Sequence, residues 1–366
     1  MNHFINNFLS LIFVLLMVSC ESKHSPKVVS EITIEAIGNV YYIPNSISSN
    51  ENNTVITLFN ASDKSIWIYQ IDSNNSVTSK NIHSHFLEQC YNFQLYIKSI
   101  DSIYHLKERD NFISILDSNG NPSSRLWLDT DFIHSNPENN VKIFNNSIFL
   151  ATATHVHNVA IGISRALYYQ ETKPISQIEL GSDSILKNYI YGKFPNCYTK
   201  DNQNFNDWHP DICATNTSAI LVSFACDDSV YLYQNMRLSK SILCKSAYID
   251  EFESIPDNKS FDMTYTISYI LHEPKYWDIR YNKYKDSYYR IVKHKDILID
   301  ENTVDLEKSK WSIIIMDSNF NIMNEFVFKR NEYSYLFITP SAKGLYLRNL
   351  LISNSKDSLT LTLFDL

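Results

Sequence analysis

Four groups of residues have types and spacings that could carry recognition or catalysis. The first is Trp277-Asp278-Ile279-Arg280-Tyr281, which runs through a polar turn into Tyr288-Tyr289-Arg290. Trp, Tyr and Arg dominate binding hot spots because they combine large rigid contact areas with polar ends. Trp277, Arg280, Tyr289 and Arg290 are therefore candidate binding residues, with burial inside a strand pair as the competing fate. The second group is the loop Asn206-Asp207-Trp208-His209-Pro210-Asp211, in the longest insertion of the chain. Insertions carry function more often than scaffolds do, which makes Trp208 and His209 candidates as well. Asp207 and His209 could exchange a proton, but no nucleophile is placed against them. An ordered loop anchored by its Trp is the favoured reading.

The third group is His83-x-His85 and His155-x-His157, each with two rings on one strand face. No third ligand is identifiable, so no metal is assigned. The fourth is a pair of D-x-N-x-N runs, Asp117 to Asn121 and Asp317 to Asn321. They resemble the start of a calcium loop, but their twelfth positions are Leu128 and Phe328 rather than Glu. Asp and Asn favour turns for their own backbone reasons, and a turn is the expectation. The six glycines are too scattered for a dinucleotide fingerprint, a P-loop or a nucleophile elbow. No two cysteines are close enough for a C-x-x-C site, and His272-Glu273 lacks the second His of a zincin. No catalytic residue and no cofactor are assigned.

The elements that must position these residues are strands. Nearly every periodic stretch alternates in steps of two, as in Val55 to Phe59, Ser147 to Ala151, Ala219 to Ser223 and Leu359 to Leu363. No segment shows a sustained helical stripe with caps. A strand-like run ends in the same Asp-Ser-Asn at three places, at Asp72, Asp117 and Asp317. A hairpin written three times indicates a repeat architecture. Asp72 to Asp117 is 45 residues, Asp117 to Asp317 is 200, and Asp317 to Asp365 is 48. A period of about 45–50 residues is the spacing of four-stranded propeller blades. Two degenerate hairpins fill the gap: Ala166 to Gln170 with Ile175 to Leu180, and Val230 to Gln234 with Leu238 to Leu243. The fold class expected is all-β, a β-propeller in which six blades are favoured over seven. Glu31 to Glu35 and the final strand are expected to pair and close the ring. A pair of β-sandwiches is the structural alternative.

The start of the chain reads as an address. Phe8 to Val18 is an 11-residue apolar run, too short for a bilayer span of about 20 residues and suited to a signal-peptide core. Met17-Val18-Ser19 before Cys20 resembles the lipobox of bacterial lipoproteins, which implies cleavage before Cys20 and acylation of that residue. The expected organisation is a lipoprotein signal peptide over 1–19, a lipidated tether over 20–30 and one propeller domain over 31–366. Glu21-Ser22-Lys23-His24 is not an acidic run, so an outer-membrane lipoprotein facing the periplasm is favoured over the cell surface.

The net charge of −8 argues against nucleic acid, whose phosphates require a basic patch. With Cys20 lipidated, five cysteines remain: Cys90, Cys197, Cys213, Cys226 and Cys244. Cys197 with Cys213, or Cys226 with Cys244, could form disulfides, and buried thiols are an equal alternative.

Several stretches together resemble one family: Tyr276-Trp277-Asp278-Ile279-Arg280-Tyr281 with Tyr288-Tyr289-Arg290, Ser312 to Asp317 with Glu325-Phe326, and Lys343-Gly344-Leu345-Tyr346. With the lipobox, they are similar to the DUF4221 family of Bacteroidetes lipoproteins. The likeness is clearest over residues 270–366. It implies a propeller-like fold and an envelope location, and it implies no activity. Where that family has Asp after its first strand, this chain has Asn282. Three functions compete. A binding module for an envelope protein, peptide or glycan is favoured. A hydrolase or lyase with its site at the propeller channel is the second, and a structural envelope protein is the third.

Overall fold

The computed structural model describes residues 26–36, 40–43, 52–84, 87, 95–99, 102–106, 112–128, 142–144, 146–151, 165–180, 185–200, 204–205, 209–259, 262–296, 306–352 and 358–366. They form a six-bladed β-propeller built from six small sheets. The chain enters through β1 (Lys27–Glu35). Blade 1 is β2 (Val40–Tyr42), β3 (Thr54–Asn60), β4 (Ser65–Ile71) and β5 (Val77–His83). Blade 2 is β6 (Leu95–Ser99), β7 (Ser102–Leu106), β8 (Phe112–Leu116) and β9 (Pro122–Leu128). Blade 3 is β10 (Lys142–Phe144), β11 (Ser147–Ala151), β12 (Ile175–Glu179) and β14 (Asn188–Tyr191), while the short β13 (Ile185–Leu186) pairs in parallel with β9 of blade 2. Blade 4 is β15 (Asp211–Ala214), β16 (Ile220–Ser223), β17 (Ser229–Gln234) and β18 (Arg237–Leu243). Blade 5 is β19 (Lys275–Asn282), β20 (Ser287–Lys293), β21 (Trp311–Met316) and β22 (Ile322–Phe328). Blade 6 is β23 (Tyr333–Ser341), β24 (Gly344–Asn349), β25 (Ser358–Asp365) and, as its outer strand, β1.

The expected closure is present. β1 runs antiparallel to β25 from Lys27↔Asp365 to Glu35↔Ser358, so the first and last strands share a blade. β1 begins at Lys27, inside the segment read above as tether. A blade with two apolar faces can bury both only by stacking on two neighbours. Each of the six blade interfaces accordingly holds one core cluster. Adjacent residues of one strand serve different clusters: Leu58 packs between blades 6 and 1, and Phe59 between blades 1 and 2. Among the described residues, no helix is long and apolar enough to cross a membrane.

The strand order gives the ring two unlike faces. Every inner strand starts at one face and ends at the other. The three α-helices among the described residues, α1 (Arg165–Glu171), α2 (Asn196–Thr199) and α3 (Met263–His272), all fall in connections at the face where the inner strands start. We call this the helix face. The Asp-Ser-Asn turns lie at the opposite, turn face, and Lys27 and Leu366 lie there too. In each turn Asp Oδ1 accepts the backbone N–H groups two and four residues on, at 2.8 to 2.9 Å. The Asp is thus spent on its own backbone, as turn chemistry expects.

Two readings of the elements are corrected. Ala166 to Gln170 is helix α1 rather than a strand, and its adjacent Tyr168 and Tyr169 are both buried in the core between blades 3 and 4. The sequence 263–272 is also helical, capped by Asp262, whose carboxylate accepts Tyr265 N–H at 3.1 Å. Its β-branched Thr264, Thr266, Ile267 and Ile270 hide the stripe, and docking against the ring overrides their weak helix propensity. The interval from Asp117 to Asp317 covers three blade steps, and insertions on the helix face lengthen them beyond the 45–50-residue period.

Candidate functional site

The six inner strands meet around the axis, and the most concentrated polar chemistry among them is on β19. Its Asp278 and Arg280 have the same parity and lie beside the axis, 3% and 5% exposed. Arg280 Nε donates to Asp278 Oδ2 at 2.6 Å, and Arg280 Nη1 donates to the Ile338 carbonyl of blade 6. Asp278 Oδ1 accepts its neighbour Ile279 N–H at 2.8 Å. Across the axis, Lys142 at the head of β10 reaches the same oxygen at 3.5 Å. One carboxylate therefore ties blades 3, 5 and 6 together. Burial alone would raise the Asp278 carboxyl, but Arg280 and Lys142 outweigh it and hold it below the usual carboxylate range. Cys213 of β15 borders this group, and burial pushes its thiol up.

Toward the helix face, β19 carries Trp277 at the edge of the blade 5–6 interface. A bulge between Tyr276 and Asp278 takes Trp277 out of register, and its ring is half-buried. Lys275 Nζ sits 4.4 Å above the ring centroid, and Tyr335 of blade 6 meets it edge-on at 5.0 Å. Lys275 pairs directly across the sheet with Lys293, which is fully buried and donates to the Glu273 carbonyl at 2.8 Å. We call this cluster at the junction of blades 5 and 6 the mouth.

The other sequence candidates fall elsewhere. Arg290 faces blade 4 and is 0% exposed. It donates to the carbonyls of Asp227 (2.6 Å), Cys244 (2.8 Å) and Asp228 (3.1 Å) and to Ser223 Oγ (3.1 Å). Its guanidinium also lies 3.3 Å from the Tyr276 ring centroid. It is a clamp between blades 4 and 5. Tyr289 is 0% exposed, on the blade 6 side, with its hydroxyl accepting from Asn282 Nδ2 at 3.3 Å. Asn282 Nδ2 also donates to the Ser341 carbonyl at 3.1 Å, a donation that an Asp at this position could not make. The structure thus sends Trp277 and Tyr289 to the blade 5–6 interface and Arg290 to the blade 4–5 interface, and leaves Arg280 beside the axis with Asp278. His209 is half-buried just before β15, whereas Trp208 and Asp207 lie outside the described residues. His83 faces Asp63 at 3.8 Å, and His85, His155 and His157 lie outside the described residues. Among the described residues, no three His, Cys, Asp or Glu side chains are grouped to hold a metal ion.

A family model described as a domain of unknown function, DUF4221, matches residues 89–326. The chain belongs to the DUF4221 family. The matched span starts well before residue 270 and ends before Lys343 to Tyr346. The solved structure of a DUF4221 member from Bacteroides vulgatus ATCC 8482 has a TM-score of 0.67 at 16% identity, covering 94% of this chain and 99% of that one. A luciferin-regenerating enzyme (TM-score 0.43, 11% identity, 92% of this chain and 96% of that one) is a more distant likeness. So is virginiamycin B lyase from Staphylococcus aureus (TM-score 0.37, 10% identity, 91% and 99%), and neither carries weight for activity. No curated protein matches the chain.

This DUF4221 propeller also holds polar groups that sequence reasoning missed. Lys142 is 136 residues from Asp278, and nothing local marks it. Beside the outer part of blade 5, Glu325 Oε1 accepts from Ser312 Oγ (2.5 Å) and Ser246 Oγ (2.6 Å), and His294 Nε2 contacts Ser312 Oγ at 2.8 Å. Tyr248 stacks on the His294 ring at 4.9 Å. The serine hydroxyl is directed at the carboxylate rather than at the imidazole, so the arrangement links blade 5 to the loop leaving blade 4. The four described cysteines are free thiols, and Cys90 lies outside the described residues. Cys197 and Cys226 pack between blades 3 and 4, whereas Cys213 and Cys244 pack between blades 4 and 5. Both pairings considered from the sequence would have to cross blade 4.

Proposed function

We propose that this DUF4221 protein is a non-catalytic binding module of the cell envelope. In this reading it is anchored to the outer membrane by a lipid on Cys20, faces the periplasm, and presents its helix face to a protein, peptide or glycan. The observation that carries this is the polarity of the ring: β1 starts at the turn face, while Trp277, the three helices and the mouth are at the other. A tether leaving Lys27 from the turn face would direct the mouth away from the membrane. A half-buried Trp with a cation on its ring and a neighbouring aromatic edge is a contact type that supplies binding energy. Asp278, Arg280 and Lys142 hold one another and blade 6 below it, giving the mouth a rigid floor.

The test is affinity capture from native envelopes with the mature protein and its Trp277→Ala variant, read by mass spectrometry. A partner retained by the wild type and lost from Trp277→Ala supports the reading. A partner captured equally by both, or none by either, overturns it. Incorporation of labelled palmitate that disappears in Cys20→Ala tests the anchor separately.

A further inference from the structure

We propose that the turn-face rim of blades 4 to 6 rests on the surface of a lipid bilayer, with Leu238, Ile322, Met323, Val28 and Val29 entering the headgroup region. This rests on the reading of Cys20 as a lipid anchor and specifies how the anchored ring stands.

The starting observation is a position that successive blades repeat. The outer strand of each blade starts at the turn face. In blades 4, 5 and 6 an apolar residue near that start is followed at once by a bulge. The pair Tyr233↔Leu238 precedes Ser239, Met316↔Ile322 precedes Met323, and Phe364↔Val28 precedes Val29. A bulge re-aims the side chains around it. Leu238, Ile322 and Val28 are 53%, 46% and 49% exposed, and Met323 and Val29 in the bulges are 67% and 49% exposed. None of the five belongs to a core cluster, so the stacking of blades does not account for their apolar character. The equivalent bulge of blade 2 holds Ser123, after Pro122. The other exposed large apolar side chains among the described residues lie toward the helix face.

Two observations select a bilayer as the occupant. Apolar points on three successive blades, all at one face and near the outer edge, suit a broad flat surface rather than a groove or a single loop. The chain also limits which face can reach the membrane. Seven residue steps separate Cys20 from Lys27, a reach of about 25 Å at full extension. The nine residues of β1 then carry the chain about 26 Å further, to the helix face. With the turn face down the tether has slack, whereas with the helix face down it would be at its limit. Lys27 and Arg237 are exposed beside Val28 and Leu238, where they can meet headgroup phosphates while the apolar side chains enter. The carboxylates next to these strand starts are engaged. Asp317 accepts N–H groups of its own turn at 2.8 and 2.9 Å, and Asp365, in register with Lys27, accepts from Lys285 at 2.5 Å.

The test uses the lipidated protein in vesicles of phosphatidylethanolamine and phosphatidylglycerol whose acyl chains either carry bromine, a contact quencher of indole, or do not. Met323→Trp reports from the turn-face rim. Leu243→Trp, at an equally exposed site where β18 ends at the helix face, is the control. Each is read as a difference from wild type. The indole introduced by Met323→Trp should lose roughly half of its emission or more in brominated vesicles, and that of Leu243→Trp none. Equal emission of Met323→Trp in both kinds of vesicle overturns the proposal. So does equal quenching of the two variants, which would mean that the ring has no preferred face. A blue shift of Met323→Trp without quenching would mean that protein, such as a second copy of the chain, covers the rim, and it overturns the proposal as well. Vesicle flotation separates the two readings. A chain that floats unquenched keeps its anchor but does not dock, whereas a mature chain that carries no lipid and does not float removes both.

Discussion

Replacing Arg290 by Met removes the blade 4–5 clamp while keeping most of the side-chain volume. The guanidinium makes four contacts of 3.1 Å or less, three to main-chain carbonyls and one to Ser223 Oγ, and two more to Phe224 and Ser229 carbonyls at 3.4 and 3.3 Å. Hydrogen bonds from a charged donor contribute about 1.5–3 kcal/mol each, and a buried carbonyl left without a donor costs about 1–3 kcal/mol. Against this, removing the guanidinium returns a desolvation cost of several kcal/mol. The balance is a loss of about 4 kcal/mol, near the upper end for single substitutions. Urea unfolding followed by Trp fluorescence is the assay. With an m-value of about 3 kcal/mol/M, the midpoint should fall by more than about 1 M. Arg290→Lys keeps the charge but not the fork, so it should recover less than half of the loss. A midpoint for Arg290→Met within about 0.3 M of wild type would refute the clamp. So would an Arg290→Lys variant as stable as the parent.

Asp278→Asn leaves Lys142 and Arg280 without their shared carboxylate, and a loss of about 3–5 kcal/mol in urea unfolding is expected. Unchanged stability would mean the channel network does not hold the blades. Burial, then Lys310 and Lys293, lower His294 to about 4. The unfolded chain therefore binds a proton that the folded one refuses, and up to about 3 kcal/mol of stability is lost as pH falls from about 6.5 toward 4. His294→Gln should flatten that part of the stability–pH curve, and an unchanged slope would remove His294 as the cause. Gly344 has φ +145°, and a Cβ there would lie 1.9 Å from the Phe364 carbonyl oxygen. Gly344→Ala should destabilise blade 6 by about 2 kcal/mol or more, read as a lower thermal midpoint, and wild-type stability would show that the β24–β25 contact can move freely.

The strand character of this chain is legible locally because alternation has a period of two and needs only neighbouring residues. The runs Val55 to Phe59 and Leu359 to Leu363 are strands for that reason. The Asp-Ser-Asn turns recur at the end of the third strand of a blade, and Asp365 keeps the same phase because β1 supplies the fourth strand of blade 6. The ring closure and the family likeness were legible on the same basis. Helices α1 and α3 were not: α1 is only seven residues around an adjacent Tyr168-Tyr169 pair that reads equally as a strand, and α3 is rich in β-branched residues.

The fate of the candidate residues belongs to the tertiary structure. Trp277, Tyr289 and Arg290 are the same kinds of residue within one hairpin. A one-residue bulge and the parity of β20 leave Trp277 half-buried at the edge of the blade 5–6 interface, bury Tyr289 inside it and turn Arg290 to blade 4. Residue type and spacing determined which side chains could bind or clamp. Stacking of blades 3 to 6 decided which of them do, because burial and charge pairing depend on partners as far away as Lys142 is from Asp278.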